Sequence, residues 1–389
     1  MRIAVAVVAL IAFTACEEAE PTYTDGLPGR PPASTWIAIE PGGDTICSRG
    51  TDYRFFVRGG DPHRVIIDFQ GGGACWDAST CSSAGSLFSE EVGQLSTFTG
   101  YLDSGVLGGI FDDAGEFADW TIVHVPYCTG DVHWGNARAE YGPGLAIEHR
   151  GYVNASAVLE WVYSRYPDPD RVFVSGCSAG AYGAALHSAY IANHYTSASI
   201  AVLADSGAGI ITEDFLTRSL PNWNAQLPPF IESLQVPLDE LTLPDLYIGI
   251  GQHFPNLRMA QTATNWDKDQ IFFYVAMGGD AAEWQPQFRA SLETIDAALP
   301  NFTAYVPPGS VHCATPYPYF NDRVVNGVAL SEWTRQLAEE DTMPATVACE
   351  GEECCHDPIC DECLAGGTGA HCGFCDTWVP GYASICPVP

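Results

Sequence analysis

The chain has 389 residues, with 48 Asp and Glu against 16 Lys and Arg and a formal net charge of -32. Such a surface repels polyanions, which argues against nucleic acid as a partner and against a strongly de-esterified, acidic polysaccharide as substrate. Length and apolar content are those of a folded protein with a sizeable core.

The chain opens as an export signal. Met1-Arg2 is a short basic start, and Ile3 to Ala15 is apolar but too short to span a bilayer as a helix. Phe13-Thr14-Ala15 places small residues before Cys16, which resembles a bacterial lipoprotein signal in which Cys16 becomes the lipid-modified N-terminus. An ordinary signal peptide cut near Ala15 is the alternative. The expectation is a signal over 1–15, a polar tether over 16–35 and attachment to the outer membrane or cell surface through a lipid on Cys16. Of 15 cysteines, setting Cys16 aside leaves an even number, and an oxidising compartment favours disulfides.

Runs rich in β-branched and aromatic residues predict strands at 36–39, 53–57, 65–69, 121–125, 172–175, 200–204, 271–276 and 303–306. A helix over 150–166 puts Val153, Ala157, Val158, Trp161 and Val162 on one face and stops at Pro167. Further helices are expected over 181–194 and 330–340. Strands alternating with helices indicate an α/β fold with a largely parallel central sheet flanked by helices. The catalytic domain is expected over 36–343. Within it, 213–265 is rich in proline and aromatics, and reads either as a lid over a site or as a surface insertion.

Val172-Phe173-Val174-Ser175-Gly176-Cys177-Ser178-Ala179-Gly180 is a strand running into G-x-S-x-G and a small-residue helix, the order required for a nucleophile elbow. A serine needs a base, and the base an orienting acid. In an α/β-hydrolase architecture these follow in the order Ser, Asp or Glu, His. Asp280 follows the run 271–276, and His312 follows the strand 303–306. Ser178, Asp280 and His312 are therefore the expected triad, with Asp205, at the end of 200–204, as the alternative acid. His187 and His194 fall on the helix after the elbow and read as packing or surface residues; His133 is a further histidine of note. Gly71-Gly72-Gly73 follows an early strand, so the N–H groups of Gly72, Gly73 and Ala179 are expected to form the oxyanion hole. No Gly-Lys-Ser/Thr follows, which weakens a phosphate-loop reading. Cys177 precedes the serine and Cys313 follows the histidine, so a Cys177–Cys313 disulfide is expected if the two loops meet. The same Cys-Ser … Asp … His-Cys arrangement resembles that of tannases and feruloyl esterases.

Several segments together resemble the pectin acetylesterase/Notum family: Gln70-Gly71-Gly72-Gly73-Ala74-Cys75-Trp76, Pro126 to Asn136, Gly176 to Gly180, Ala204-Asp205-Ser206-Gly207 and Val311-His312-Cys313. The resemblance covers about 36 to 340. It implies an α/β-hydrolase-like fold, a Ser-His-Asp triad with Asp280 as the acid, and carboxylester hydrolysis without a cofactor. Acetylated polysaccharide such as pectin is the leading substrate, with fatty-acyl, other short-acyl or phenolic esters as alternatives. A non-catalytic binding protein on a hydrolase scaffold is the alternative of another class.

Composition changes after Pro344. Residues 344–389 form a cysteine-rich extension holding eight of the cysteines. Cys360-x-x-Cys363 and Cys372-x-x-Cys375 are spaced as zinc ligands can be, but disulfides are the preferred reading and no metal is expected.

Overall fold

The computed structural model describes residues 23–84 and 86–360. The signal segment, Cys16 and the second half of the cysteine-rich extension lie outside these residues. In chain order the strands and helices are β1 (Trp36–Ile39), β2 (Phe55–Arg58), β3 (Asp61–Phe69), α1 (Leu95–Asp103), β4 (Trp120–Val125), the hairpin β5 (Ala137–Gly142) and β6 (Leu145–His149), α2 (Gly151–Arg165), β7 (Arg171–Cys177), α3 (Ala179–His194) and β8 (Ser199–Asp205). There follow α4 (Glu213–Arg218), α5 (Leu243–His253), β9 (Arg258–Thr262), α6 (Lys268–Ala276), α7 (Ala281–Ala298), β10 (Phe302–Val306), the hairpin β11 (Val324–Val325) and β12 (Val328–Ala329), α8 (Leu330–Glu339) and β13 (Val347–Ala348).

One sheet runs β1-β2-β4-β3-β7-β8-β9-β10-β13. It is antiparallel through β1, β2 and β4, and parallel from β4 onward. Alternation along its strands builds two cores. Val172 and Val174 of β7 pack with Trp161 of α2, Leu186 of α3 and Ile250 of α5 on one face. Phe173 packs with Phe98 of α1 and Trp333 of α8 on the other. This two-period pattern with helices on both faces is what a buried, mostly parallel sheet requires.

Three expectations differ from the structure. The run 271–276 is helix α6, not a strand: Ile271 and Tyr274 are buried while Phe272 and Val275 face out, a helical spacing. The segment 213–265 is not only a covering layer, because β9 inside it is a fully buried central strand. Its α4 and α5 flank the site described below. The sheet also extends past residue 343, since β13 pairs in parallel with β10. Cys349–Cys354 is a disulfide in this part, and Cys355 and Cys360 are also disulfide-bonded.

Candidate active site

The loops at the carboxyl ends of β3, β7, β8, β9 and β10 converge at one edge of the sheet, where open α/β sheets bind ligands. Ser178 sits between β7 and α3 with φ 57° and ψ -123°, a conformation that a side chain adopts only where its surroundings hold it. A Cβ on Gly180 would lie 1.9 Å from the Phe69 carbonyl oxygen, and one on Gly71 2.9 Å from Ser178 Cβ. Elbow and glycine loop are thus pressed together too closely for any larger residue. The Ser178 N–H donates to the Asp205 carbonyl at 2.8 Å.

His312 lies in the loop after β10, and its Nδ1 is 2.7 Å from Asp267 Oδ1. Asp267 follows β9 and caps α6, accepting the Gln270 N–H at 3.1 Å and Gln270 Nε2 at 3.0 Å. Gln270 is fixed in turn, its Oε1 accepting the Ala208 N–H at 2.6 Å. The two loops are joined by backbone: Asn265 N–H donates to Pro307, Trp266 to Gly309 and Lys268 to Ser310. Burial opposes a charge on the His312 ring. The field and hydrogen bond of the buried Asp267, with Asp269 and Asp205 behind it, outweigh that and hold the imidazole above its ordinary range.

The two acids expected from the sequence lie elsewhere. Asp280 is exposed at the start of α7, where its carboxylate accepts the Ala282 N–H at 3.0 Å. It is a helix cap, and not the partner of His312. The expectation differs because α6 is a helix, and the carboxylate that meets His312 lies one element earlier, after β9. Asp205 is buried and holds the far side of the His312 loop. One oxygen accepts the Ala314 and Thr315 N–H groups, each at 2.7 Å, and the Thr315 hydroxyl at 2.9 Å. Burial pushes its carboxyl up, against the pull of those donors. Ser206 Oγ accepts the Cys313 N–H at 2.9 Å.

Cys177 and Cys313 form a disulfide with Cα atoms 5.8 Å apart, as expected from their positions beside Ser178 and His312. His133 and His187 are buried and His194 stacks on Tyr163. His133 Nε2 bonds the Gln70 carbonyl at 2.9 Å, and His187 Nε2 bonds the His133 carbonyl at 2.9 Å. These two histidines brace the start of the glycine loop. Burial pushes the first down to about 3 and the second to about 4, so both are neutral supports.

Ser178, His312 and Gly73 line two cavities, one on either side. The first, of about 100 Å³, is apolar, with Ala179, Ile211, Phe215, Leu216, Leu243 and Trp284 among its walls. The second, of about 680 Å³, is an open groove that Gly72 also lines. Its floor holds a pair that sequence reading missed: His124 Nδ1 lies 2.7 Å from Asp68 Oδ2. The two residues face each other across β3 and β4. Among the described residues, Cys75, Cys81 and His149 form the one cluster with metal-ligand spacing. Its members are engaged otherwise, the cysteines in a disulfide and His149 with Thr129 and Tyr141. No helix among the described residues is long and apolar enough to cross a membrane.

The protein is thus an α/β-hydrolase-like molecule with a serine elbow beside a His–Asp pair. Residues 39–222 match the Pectinacetylesterase family. Pectin acetylesterase 7 of Arabidopsis thaliana is 29% identical over 151 residues, 38% of either chain. Pectin acetylesterase 11 of the same plant is 31% identical over 123 residues, 31% of either chain. The matched segments span less than two fifths of these relatives. In structure the chain is similar to the Wnt deacylase Notum from Drosophila, with a TM-score of 0.56 and 16% identity over 75% of this chain and 88% of that one. Family model, plant relatives and fold together support a place for this chain beside the pectin acetylesterase/Notum family.

Proposed function

We propose that the protein is a serine carboxylic ester hydrolase that removes short acyl groups, acetyl foremost, from a polysaccharide. The observation that carries this reading is the strained Ser178 on its elbow, sharing a cavity with a His312 whose Nδ1 is held by Asp267 at 2.7 Å. With Nδ1–H donated to the carboxylate, Nε2 is the basic nitrogen. In the proposed reaction Ser178 Oγ attacks the ester carbonyl carbon as Nε2 takes its proton. The N–H groups of Gly72, Gly73 and Ala179 receive the oxyanion. The carbon–oxygen ester bond then breaks, and His312 returns the proton to the leaving alcohol. Water attacks the acyl-enzyme with His312 again as base, and release of the carboxylic acid restores Ser178.

The apolar cavity favours a short acyl group. A cavity of about 150 Å³ accepts benzene, so about 100 Å³ holds roughly four carbons. The open groove on the other side of Ser178 suits a bulky, hydrophilic alcohol. Export with a lipid on Cys16 belongs to the same proposal, since such a polymer lies outside the cell. Cys16→Ala should then move the protein from the membrane fraction to the soluble one.

The test is labelling with a fluorophosphonate probe alongside an acyl-chain series of p-nitrophenyl esters. Labelling of the wild type, its loss in Ser178→Ala, and fastest cleavage of acetyl to butyryl esters are expected. An unlabelled wild type that cleaves none of the esters would leave a binding protein on a hydrolase scaffold as the better account.

A further inference from the structure

Resting on the esterase reading, we infer that the sugar chain entering the groove is uncharged: the site is built for an acetylated neutral glycan and against a polyuronate. The groove beside Ser178 and His312 is lined by three carboxylates, Asp68, Glu91 and Asp269. No Lys or Arg stands among its described lining residues. A cleft lined by one sign of charge concentrates its field and selects ligands by charge. The whole chain adds to this with its net charge of -32. A polyuronate brings a carboxylate on every sugar, and the only imidazoles among the described lining residues, His124 and His312, are already held by Asp68 and Asp267. Unmatched like charge is how a site rejects one ligand while accepting its neutral counterpart.

The rest of the groove suits a neutral sugar. Tyr101 and Phe272 line it while 49% and 48% exposed, offering flat apolar rings to the carbon faces of sugar units. Asp68 Oδ2 and His124 Nδ1 are spent on each other, which fixes both side chains on the floor. Phe98 stacks on the His124 ring at 4.8 Å and holds it there. The remaining polar atoms of the pair, Asp68 Oδ1 and His124 Nε2, are the groove's partners for sugar hydroxyls.

The test uses acetylated xylan and acetylated polygalacturonate of matched acetyl content, with p-nitrophenyl acetate as a reporter of the chemistry alone. At low ionic strength kcat/KM should favour the neutral polymer by at least about tenfold. Added salt should narrow the gap by lifting the acidic polymer, because screening acts on exposed charges. Glu91→Gln with Asp269→Asn should raise the acidic-to-neutral ratio by about tenfold. Reading a ratio cancels any effect of Asp269 on His312. Preference for polygalacturonate at low salt would overturn the inference. So would a ratio indifferent to salt and to both substitutions, or turnover of neither polymer while p-nitrophenyl acetate is cleaved. No cleavage of p-nitrophenyl acetate and no fluorophosphonate labelling would fell the esterase reading itself, and this inference with it.

Discussion

Asp267 accepts a hydrogen bond from His312 while capping its own helix through Gln270. The acid that orients the imidazole is therefore locked by local backbone geometry, and Asp267→Asn should keep the fold. It should lower kcat by about 10³–10⁴-fold by favouring the wrong imidazole tautomer. The pH profile gives a second reading. In the proposed reaction His312 acts as a base only when neutral, and Asp267 raises its pKa, so activity should fall as pH drops through that raised value. Removing the charge should move this acid limb of kcat/KM to lower pH. Asp280→Ala should leave activity intact and destabilise by about 1 kcal/mol through loss of a helix cap. A catalytic loss in the Asp280 variant with none in the Asp267 variant would reverse the assignment.

How much of this was legible in the sequence differs between the serine and its acid. The elbow is written in a short contiguous pattern whose glycines have no substitute, since a Cβ on Gly180 would collide with Phe69 backbone. Asp267 carries no such pattern. Ile271-Phe272-Phe273-Tyr274-Val275-Ala276 is apolar enough for a strand and too short for its period to decide. The true strand, Arg258–Thr262, has no valine, isoleucine or aromatic residue and buries Arg258, Gln261 and Thr262. Arg258 reaches the Leu337 carbonyl and the Ser199 hydroxyl, contacts only the assembled fold provides. One local signal was present: Asp267 with Gln270 three residues later is a helix-start pattern. The Asp68–His124 pair was hidden for another reason, since 56 positions separate residues that only strand register brings together.

Asp205 and Asp267 should separate by the kind of damage their loss causes. Asp205→Ala leaves two buried N–H groups and a hydroxyl without their shared acceptor. That predicts destabilisation of about 3 kcal/mol or more, since each unsatisfied buried donor costs about 1–3 kcal/mol. Denaturant melts should show the loss before any kinetic assay does. An unchanged midpoint with a large fall in kcat would instead make Asp205 a member of the reacting group.

The Cys177–Cys313 bond closes a loop with a sequence separation of 136 residues and ties the serine loop to the histidine loop. Its removal should destabilise by about 2–5 kcal/mol. Cys177→Ala and Cys313→Ala should each show nearly the full loss, and the double variant little more, because either change breaks the same bond. Additive losses in thermal melts would mean that each side chain acts by packing alone.

Acyl-chain selectivity should follow the walls of the small cavity. Leu216 lines it and is only partly buried in the core, so Leu216→Ala opens space at modest structural cost. The variant should shift the kcat/KM optimum toward longer p-nitrophenyl esters by about tenfold per added methylene accommodated. An unchanged chain-length profile would place the acyl group outside this cavity.

Three buried histidines predict the acid sensitivity of the fold. Burial holds His133 down to about 3 and His187 and His149 to about 4. An imidazole whose folded pKa is depressed stays neutral inside while the unfolded chain takes up a proton near its usual value of about 6.5. Its stabilising contribution is thus complete above that value and is lost as pH falls toward 4. Asp131, pushed up to about 6 by burial, works in the opposite direction, gaining its proton in the folded state first. Asp205 and Asp357, also raised by burial, act in the same sense as Asp131, so the histidines are read one at a time and not from the net slope. His187→Gln isolates one of them, since the amide can still donate to the His133 carbonyl that Nε2 reaches at 2.9 Å. Plotted between pH 7 and 4, the melting temperature of this variant should fall less steeply than that of the wild type. Parallel slopes would mean that His187 already carries a proton in the folded protein, and the bracing of the glycine loop would need a charged ring.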